Sequence, residues 1–183
     1  NLKVNFLVNT ILVTSALYLF LVTSREFLIK GINNLAQNLA HFGFSLLILS
    51  ILFNNFFSTE VITNLKIGET FKSEKIHITF ESIEKKEIKN YSSIIGKINI
   101  NDPKGLNQTL EPELRIYNQP NIVTSEADIK TNLFSDKFIT MNLVQNQDYF
   151  NIRYQIKPFM IWIWLSVLLI CSGGLISLFR KKI

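Results

Sequence analysis

Residues 152–179, IRYQIKPFMIWIWLSVLLICSGGLISLF, change character at Lys157. Up to that point Ile152, Tyr154 and Ile156 alternate with Arg153, Gln155 and Lys157, the period of two that marks a half-buried strand. From Phe159 to Phe179 there are 21 residues without a charge. A helix needs roughly 20 such residues to cross a hydrocarbon core about 30 Å thick. A strand therefore runs almost directly into a transmembrane helix, and the rest of the chain is read outward from that joint.

Two more apolar blocks precede it. Val4 to Val22 carries no charge and is interrupted only by Asn5, Asn9, Thr10, Thr14 and Ser15; Leu35 to Phe57 is also uncharged and contains His41. The first block is too long for the ~7–15 apolar residues of a signal peptide. Thr23-Ser24-Arg25-Glu26 follows it where a small-residue cleavage site would be needed. Both blocks are read as transmembrane helices.

The segment between the second and third helices has another texture. Ile76, Ile78 and Phe80 alternate with His77 and Thr79, and similar runs lie near Val61–Leu65, Ile94–Ile100, Leu114–Tyr117 and Phe138–Val144. Turn residues such as Asn101-Asp102-Pro103 separate them. An all-β domain of six to eight strands, a small barrel or sandwich, is expected here. The fold class is thus a membrane protein of α + β type: three transmembrane helices, with an extracytoplasmic all-β domain inserted before the last. Expected boundaries are 1–24 for the first helix, 25–34 for a cytoplasmic link and 35–57 for the second helix. The β-domain follows at 58–157, the third helix at 158–179 and a cytoplasmic tail at 180–183. The chain begins at Asn1 rather than Met, as a fragment of a longer protein would.

Charge supports this arrangement. The net formal charge is +5 and the pI near 9.3, which raises nucleic acid as a partner. Residues 58–157, however, hold 13 basic and 13 acidic residues, so the β-domain has no basic excess to bind a polyanion. The excess lies in Lys3, Arg25, Lys30, Arg180, Lys181 and Lys182, set against Glu26. Positive residues in short flanks stay cytoplasmic, which puts the link and the tail inside and the β-domain outside. Trp162 and Trp164 then fall at the outer end of the third helix, where amphipathic rings favour the interface. With one cysteine, Cys171, the chain has neither an internal disulfide nor a Cys-cluster metal site. Cys171 is read as a small packing residue inside its helix.

His41 is the one histidine inside an apolar block. Gln37, Asn38 and Ser45 lie one turn away and make a polar stripe with it. Such a stripe is costly against lipid and belongs against other helices or a cofactor. Three readings are open: a histidine hydrogen-bonded within a helix bundle, a haem iron ligand, or a proton relay. Asn38 or Ser45 could orient the second ring nitrogen. Gly43 would let a second helix or a flat ring approach. His77, the other histidine, is a strand residue expected to face solvent, so it offers no second ligand.

Lys157-Pro158-Phe159-Met160-Ile161-Trp162-Ile163-Trp164, with Gly173-Gly174 nine residues on, resembles the terminal-helix pattern of the CcmF-type haem lyases of cytochrome c maturation. Ala40-His41-Phe42-Gly43 is similar to the segment that opens the helix before that family's extracytoplasmic domain. Gly68-Glu69-Thr70 and Ile76–Phe80 resemble the domain's first strands. Glu111–Tyr117 and Thr124–Ile129 resemble two further segments. Ser166 stands where the family often has Gly, and Ile161 where it often has Arg. The resemblance spans nearly the whole chain but only the C-terminal part of the family, without its Trp-rich haem-holding loop.

The resemblance implies an integral protein of the bacterial or mitochondrial inner membrane, with the β-domain on the periplasmic or intermembrane side. It makes His41 one axial ligand of an intramembrane haem b, its partner ligand coming from outside this chain. It implies as partners the rest of the haem lyase, a haem chaperone of the CcmE type, apocytochrome c with its thiol-handling chaperone, and membrane lipid. Nucleic acid is not among them. The implied reaction joins haem vinyl groups to the two thiols of an unfolded apocytochrome, a step that needs ferrous iron. No catalytic residue is assigned to this chain. The alternative is a non-catalytic, membrane-anchored β-domain acting as a scaffold. Glu111, Glu113 and Arg115 alternate on one strand face if the strand extends that far, which suits a solvated or docking surface better than acid–base work.

Overall fold

The computed structural model describes residues 2–30, 34–73, 76–101, 107–144 and 148–179. It divides into two compact units, one of helices and one of strands. The tail residues Arg180, Lys181 and Lys182 and the turn residues Asp102 and Pro103 lie outside the described residues.

In the helical unit, α1 spans Leu2–Lys30, α2 spans Leu35–Phe57 and α3 spans Met160–Phe179. All three are long and apolar enough to cross a membrane. The second and third apolar blocks become helices almost to the residue. The first continues past its expected end: Arg25–Lys30, read as part of the link, is the last turn and a half of α1. No Gly or Pro interrupts that stretch, and Arg, Glu, Leu and Lys are good helix formers, so nothing stops the hydrogen-bond ladder there.

The β unit holds ten strands among the described residues, more than the six to eight expected. They are β1 Thr59–Leu65, β2 Thr70–Ser73, β3 Ile76–Ile88, β4 Tyr91–Asn101, β5 Asn107–Leu110, β6 Glu113–Tyr117, β7 Ile122–Glu126, β8 Asp128–Thr131, β9 Ser135–Leu143 and β10 Phe150–Pro158. One sheet has the order β1-β10-β9-β8. The other runs β2-β3-β4-β6-β7, with β5 also paired to β4. β5 and β6 share one edge of β4: Ile98–Asn101 face β5, and Tyr91–Ile95 face β6. Between them the Gly96 amide donates to the Pro112 carbonyl at 2.9 Å.

Alternation becomes burial. On β10, Ile152 and Tyr154 are buried while Arg153 is exposed; on β3, Ile76, Ile78 and Phe80 are buried and His77 is exposed. They join Leu65, Ile98, Ile100, Leu110, Leu114, Ile139, Met141 and Phe150 in one core between the sheets. Phe80 meets Phe150 edge to face at 5.2 Å between ring centres. Each such side chain contributes about 1.5–3 kcal/mol by leaving water. After Phe80 the β3–β4 register shifts by a bulge, and from Glu81 onward β3 is largely exposed. Beyond the bulge, Ile83 still packs against the core from its edge.

Candidate functional site

The helical unit is organised around α2. Toward α3 it presents small residues. A methyl group built on Gly173 would lie 2.7 Å from the Ala36 carbonyl oxygen and 2.8 Å from the Ala40 nitrogen. One on Gly43 would lie 3.0 Å from Ile170 Cγ1, Leu169 Cβ and the Ser166 carbonyl oxygen. Backbone therefore meets backbone at two places, which is how helices associate where lipid removes the hydrophobic driving force. Gly174 has nothing within 4 Å and takes no part. Ser166 is fully buried and turns its hydroxyl back to its own helix, donating to the Trp162 carbonyl at 2.5 Å.

Toward α1, α2 uses hydroxyls and rings. Ser45 Oγ and Thr23 Oγ1 share a buried hydrogen bond of 2.7 Å, and Ser45 also donates to the Phe42 carbonyl. The Phe42 ring lies 5.6 Å from Phe20 and 5.7 Å from Phe27.

This packing splits the polar stripe. Asn38 and Ser45 are buried, whereas Gln37 and His41 are exposed. Helical advance of 100° per residue puts Gln37, His41, Phe44, Ile51 and Asn55 on one side of α2, and all five are exposed. The imidazole of His41 has no hydrogen-bond partner among the described residues. The bundle-bonded reading of His41 thus finds no counterpart in α1 or α3. Ser45 is occupied by Thr23, so it is not the group that orients the imidazole. Gly43 receives a second helix, α3, and not a flat ring.

At the other end of α2 lies the joint from β10 into α3. Phe159 has φ 61°, the left-handed region, at a cost of roughly 1–2 kcal/mol for a residue with a side chain. Three contacts hold it. Its ring packs on Phe53 at 5.4 Å between centres, and Asn54 Nδ2 donates to the Pro158 carbonyl at 2.6 Å. The Phe159 amide donates to the Phe134 carbonyl at 2.9 Å. The Phe159 carbonyl then accepts from the amides of Trp162 and Ile163, starting the helix. The Lys-Pro-Phe sequence is therefore the bend itself. Leu133, Phe134, Phe53 and Asn54, which sequence reasoning did not single out, complete it.

In the β unit, Arg115 forms a two-pronged ion pair with Glu113, 3.0 Å through Nε and 2.9 Å through Nη2, and its plane covers Tyr91 at 5.2 Å. Hydrogen bonds from Arg115 hold the Glu113 carboxyl below the usual carboxylate range, with burial acting the other way. Glu111 precedes the strand, so the expected alternation of three charges reduces to this pair. His77 is exposed on β3 as expected. Cys171 is exposed rather than packed, because α2 meets the opposite side of α3 through Gly173. No group of three or more His, Cys, Asp or Glu residues suited to a metal ion occurs among the described residues.

These parts define a class: an integral membrane protein in which a β-sandwich is inserted between two packed apolar helices. Residues 56–158 match the family model described as "CcmF C-terminal beta-sandwich", and the chain belongs to that family. It is 26% identical over 165 residues to the cytochrome c-type biogenesis protein CcmF of Haemophilus influenzae, an alignment covering 87% of this chain and 26% of that protein. It is 31% identical over 123 residues to the cytochrome c-type biogenesis protein ccl1 of Rhodobacter capsulatus, covering 67% of this chain and 19% of that one. The chain thus spans about a quarter or less of the length of these relatives. A solved structure of the cytochrome c heme lyase CcmF shares the fold with a TM-score of 0.69 at 17% identity, over 98% of this chain and 34% of that one.

Proposed function

We propose that the chain is the C-terminal part of a membrane haem lyase that attaches haem to apocytochrome c. His41 supplies one axial ligand of an intramembrane haem b, and the second ligand comes from polypeptide outside these residues. The observation that carries this reading is the exposed, unpartnered imidazole on a side of α2 that neither α1 nor α3 covers. An ionisable group on a membrane helix ordinarily faces protein, water or a ligand, because lipid is a costly neighbour. The donor fits: a neutral imidazole is a common iron ligand, and the apolar, exposed Phe44 one turn along suits a porphyrin edge.

When bound, the haem supplies an electron carrier that can keep incoming haem ferrous. The chain's own residues do more limited work. His41 presents one ring nitrogen, Gln37 stands one turn away on the same side, and Gly43 and Gly173 fix α2 against α3 so that the imidazole's position is set. The positive-inside pattern supports placing Arg25 and Lys30 on the cytoplasmic side and the β unit on the periplasmic or intermembrane side. The β unit docks partners: the haem chaperone, or apocytochrome c with its thiol-handling chaperone.

The test is His41→Gly in the complete assembly, with the b-type haem spectrum and the cytochrome c yield recorded. Both should fall, and added imidazole should restore them. An unchanged spectrum and normal yield would leave the scaffold reading, which the β unit's own chemistry favours: its two-pronged charged pair, Glu113–Arg115, is already mutually satisfied. A reporter active only in the cytoplasm, fused after Lys182, should be active; silence overturns the orientation.

A further inference from the structure

The turn between β8 and β9, residues 132–134, belongs with the first two residues of β9 to the helical unit, although strands flank it on both sides. The Asn132 amide donates to the Ser135 carbonyl at 2.9 Å and closes it. Leu133 and Phe134 stand at its tip, 56% and 64% exposed. Two hydrogen bonds tie its backbone to the start of α3. The Phe159 amide donates to the Phe134 carbonyl, and the Trp162 indole N–H donates to the Leu133 carbonyl, each at 2.9 Å.

Those bonds fix the level of the turn along α3. The 20 residues of α3 rise about 30 Å, which matches the thickness of a hydrocarbon core. Met160 therefore marks one boundary of that core, and a backbone bonded to Phe159 and Trp162 lies at the same height. Two bulky apolar side chains held there with nothing covering them would be wasteful in water. Beside them, the first turns of α3 also expose Ile161, Trp164 and Leu165. The tip is convex and two residues wide, a shape for slipping between acyl chains rather than for receiving a helix.

We propose that the β8–β9 turn is an interfacial anchor: Leu133 and Phe134 enter the bilayer just below the headgroups and, through Trp162, set the depth of α3. Proteins use Trp, Phe and Leu at this level, burying the apolar side chains at the boundary between headgroups and acyl chains. Here the indole N–H is already bonded to the turn, so turn and helix are held at one depth.

The test uses the full-length protein with its native cysteines replaced, carrying Leu133→Cys or Phe134→Cys labelled with an environment-sensitive dye, in phosphatidylcholine nanodiscs. Trp emission matching the unlabelled parent shows that each variant is folded, since only side chains at the exposed tip change. Phosphatidylcholine spin-labelled near the carbonyl end of its acyl chain should quench the dye several-fold more than aqueous iodide does. Strong quenching by iodide would overturn the proposal by placing the turn in water. Protection from both quenchers would overturn it too, by showing that another part of the protein covers the tip.

Discussion

Gly173 and Gly174 are chemically identical neighbours on one helix, and replacing each by alanine isolates what the α2–α3 contact is worth. Alanine raises intrinsic helix propensity by about 0.8–1 kcal/mol at either position, so that effect cancels in a comparison. What does not cancel is space. At Gly174 the added methyl meets nothing within 4 Å. At Gly173 it arrives 2.7 and 2.8 Å from backbone atoms of Ala36 and Ala40, which cannot rotate away. Comfortable carbon contacts lie at about 3.5–4.0 Å, so the helices must separate by several tenths of an ångström or more, and such a gap forfeits a quarter to a half of each pairwise attraction along the seam. Overpacking of this kind costs about 1–3 kcal/mol. Gly174→Ala should therefore be neutral or slightly stabilising, with Gly173→Ala about 1–3 kcal/mol below it. Equilibrium unfolding in mixed detergent micelles reads the difference through the chain's two tryptophans, Trp162 and Trp164, both on α3. Equal stability of the two variants would refute the close approach of α2 and α3.

Phe159→Gly should be more stable than Phe159→Ala by about 1–2 kcal/mol, because both lose the Phe53 contact but only glycine relieves the positive φ; thermal unfolding of the two variants checks the order. Phe80→Ala, at a fully buried ring between the sheets, should cost about 3–5 kcal/mol, read from the β-rich circular dichroism transition. Because the Glu113 carboxyl titrates lower in the folded protein than in the unfolded chain, its stabilisation is complete above the ordinary value of 4.5 and is lost as pH falls through the folded one. The melting temperature of the β unit should thus drop on acidification below about that point, and Glu113→Gln should flatten this part of the profile while lowering stability at neutral pH. A parallel pH profile in the variant would count against the pair.

The helices were legible because an uncharged apolar run of about 20 residues is longer than a strand or a buried core helix usually needs. Only the end of α1 was misjudged, where charged residues are also helix formers. Strands with one buried face, β1, β3, β4 and β10, announced themselves through alternation. β2, β7 and β8 did not, since they are four or five residues long and contain no buried residue, so neither side is selected to be apolar. At the candidate site, residue spacing grouped Gln37, Asn38, His41 and Ser45 as one stripe about 100° wide. The edge of the α1 contact falls within that width, and a pattern three or four residues apart cannot resolve it. The bend at Phe159 was hidden for another reason. A left-handed phenylalanine is imposed by Phe53, Asn54 and Phe134, all distant from it in sequence, and no local preference signals it.

The pairing of β1 with β10 has a consequence for how such a chain can vary. Thr59 stands opposite Ile156, so the inserted sandwich begins and ends at neighbouring points of one ladder. Cα atoms paired across antiparallel strands are about 4.5–5.5 Å apart, a gap that a linker of a few residues closes. The two ends of the domain are therefore close enough to be joined to each other. A trimmed, enlarged or grafted domain that keeps Leu133 and Phe134 would leave Ala36, Ala40, Gly43 and Gly173 free to join α2 and α3 as before.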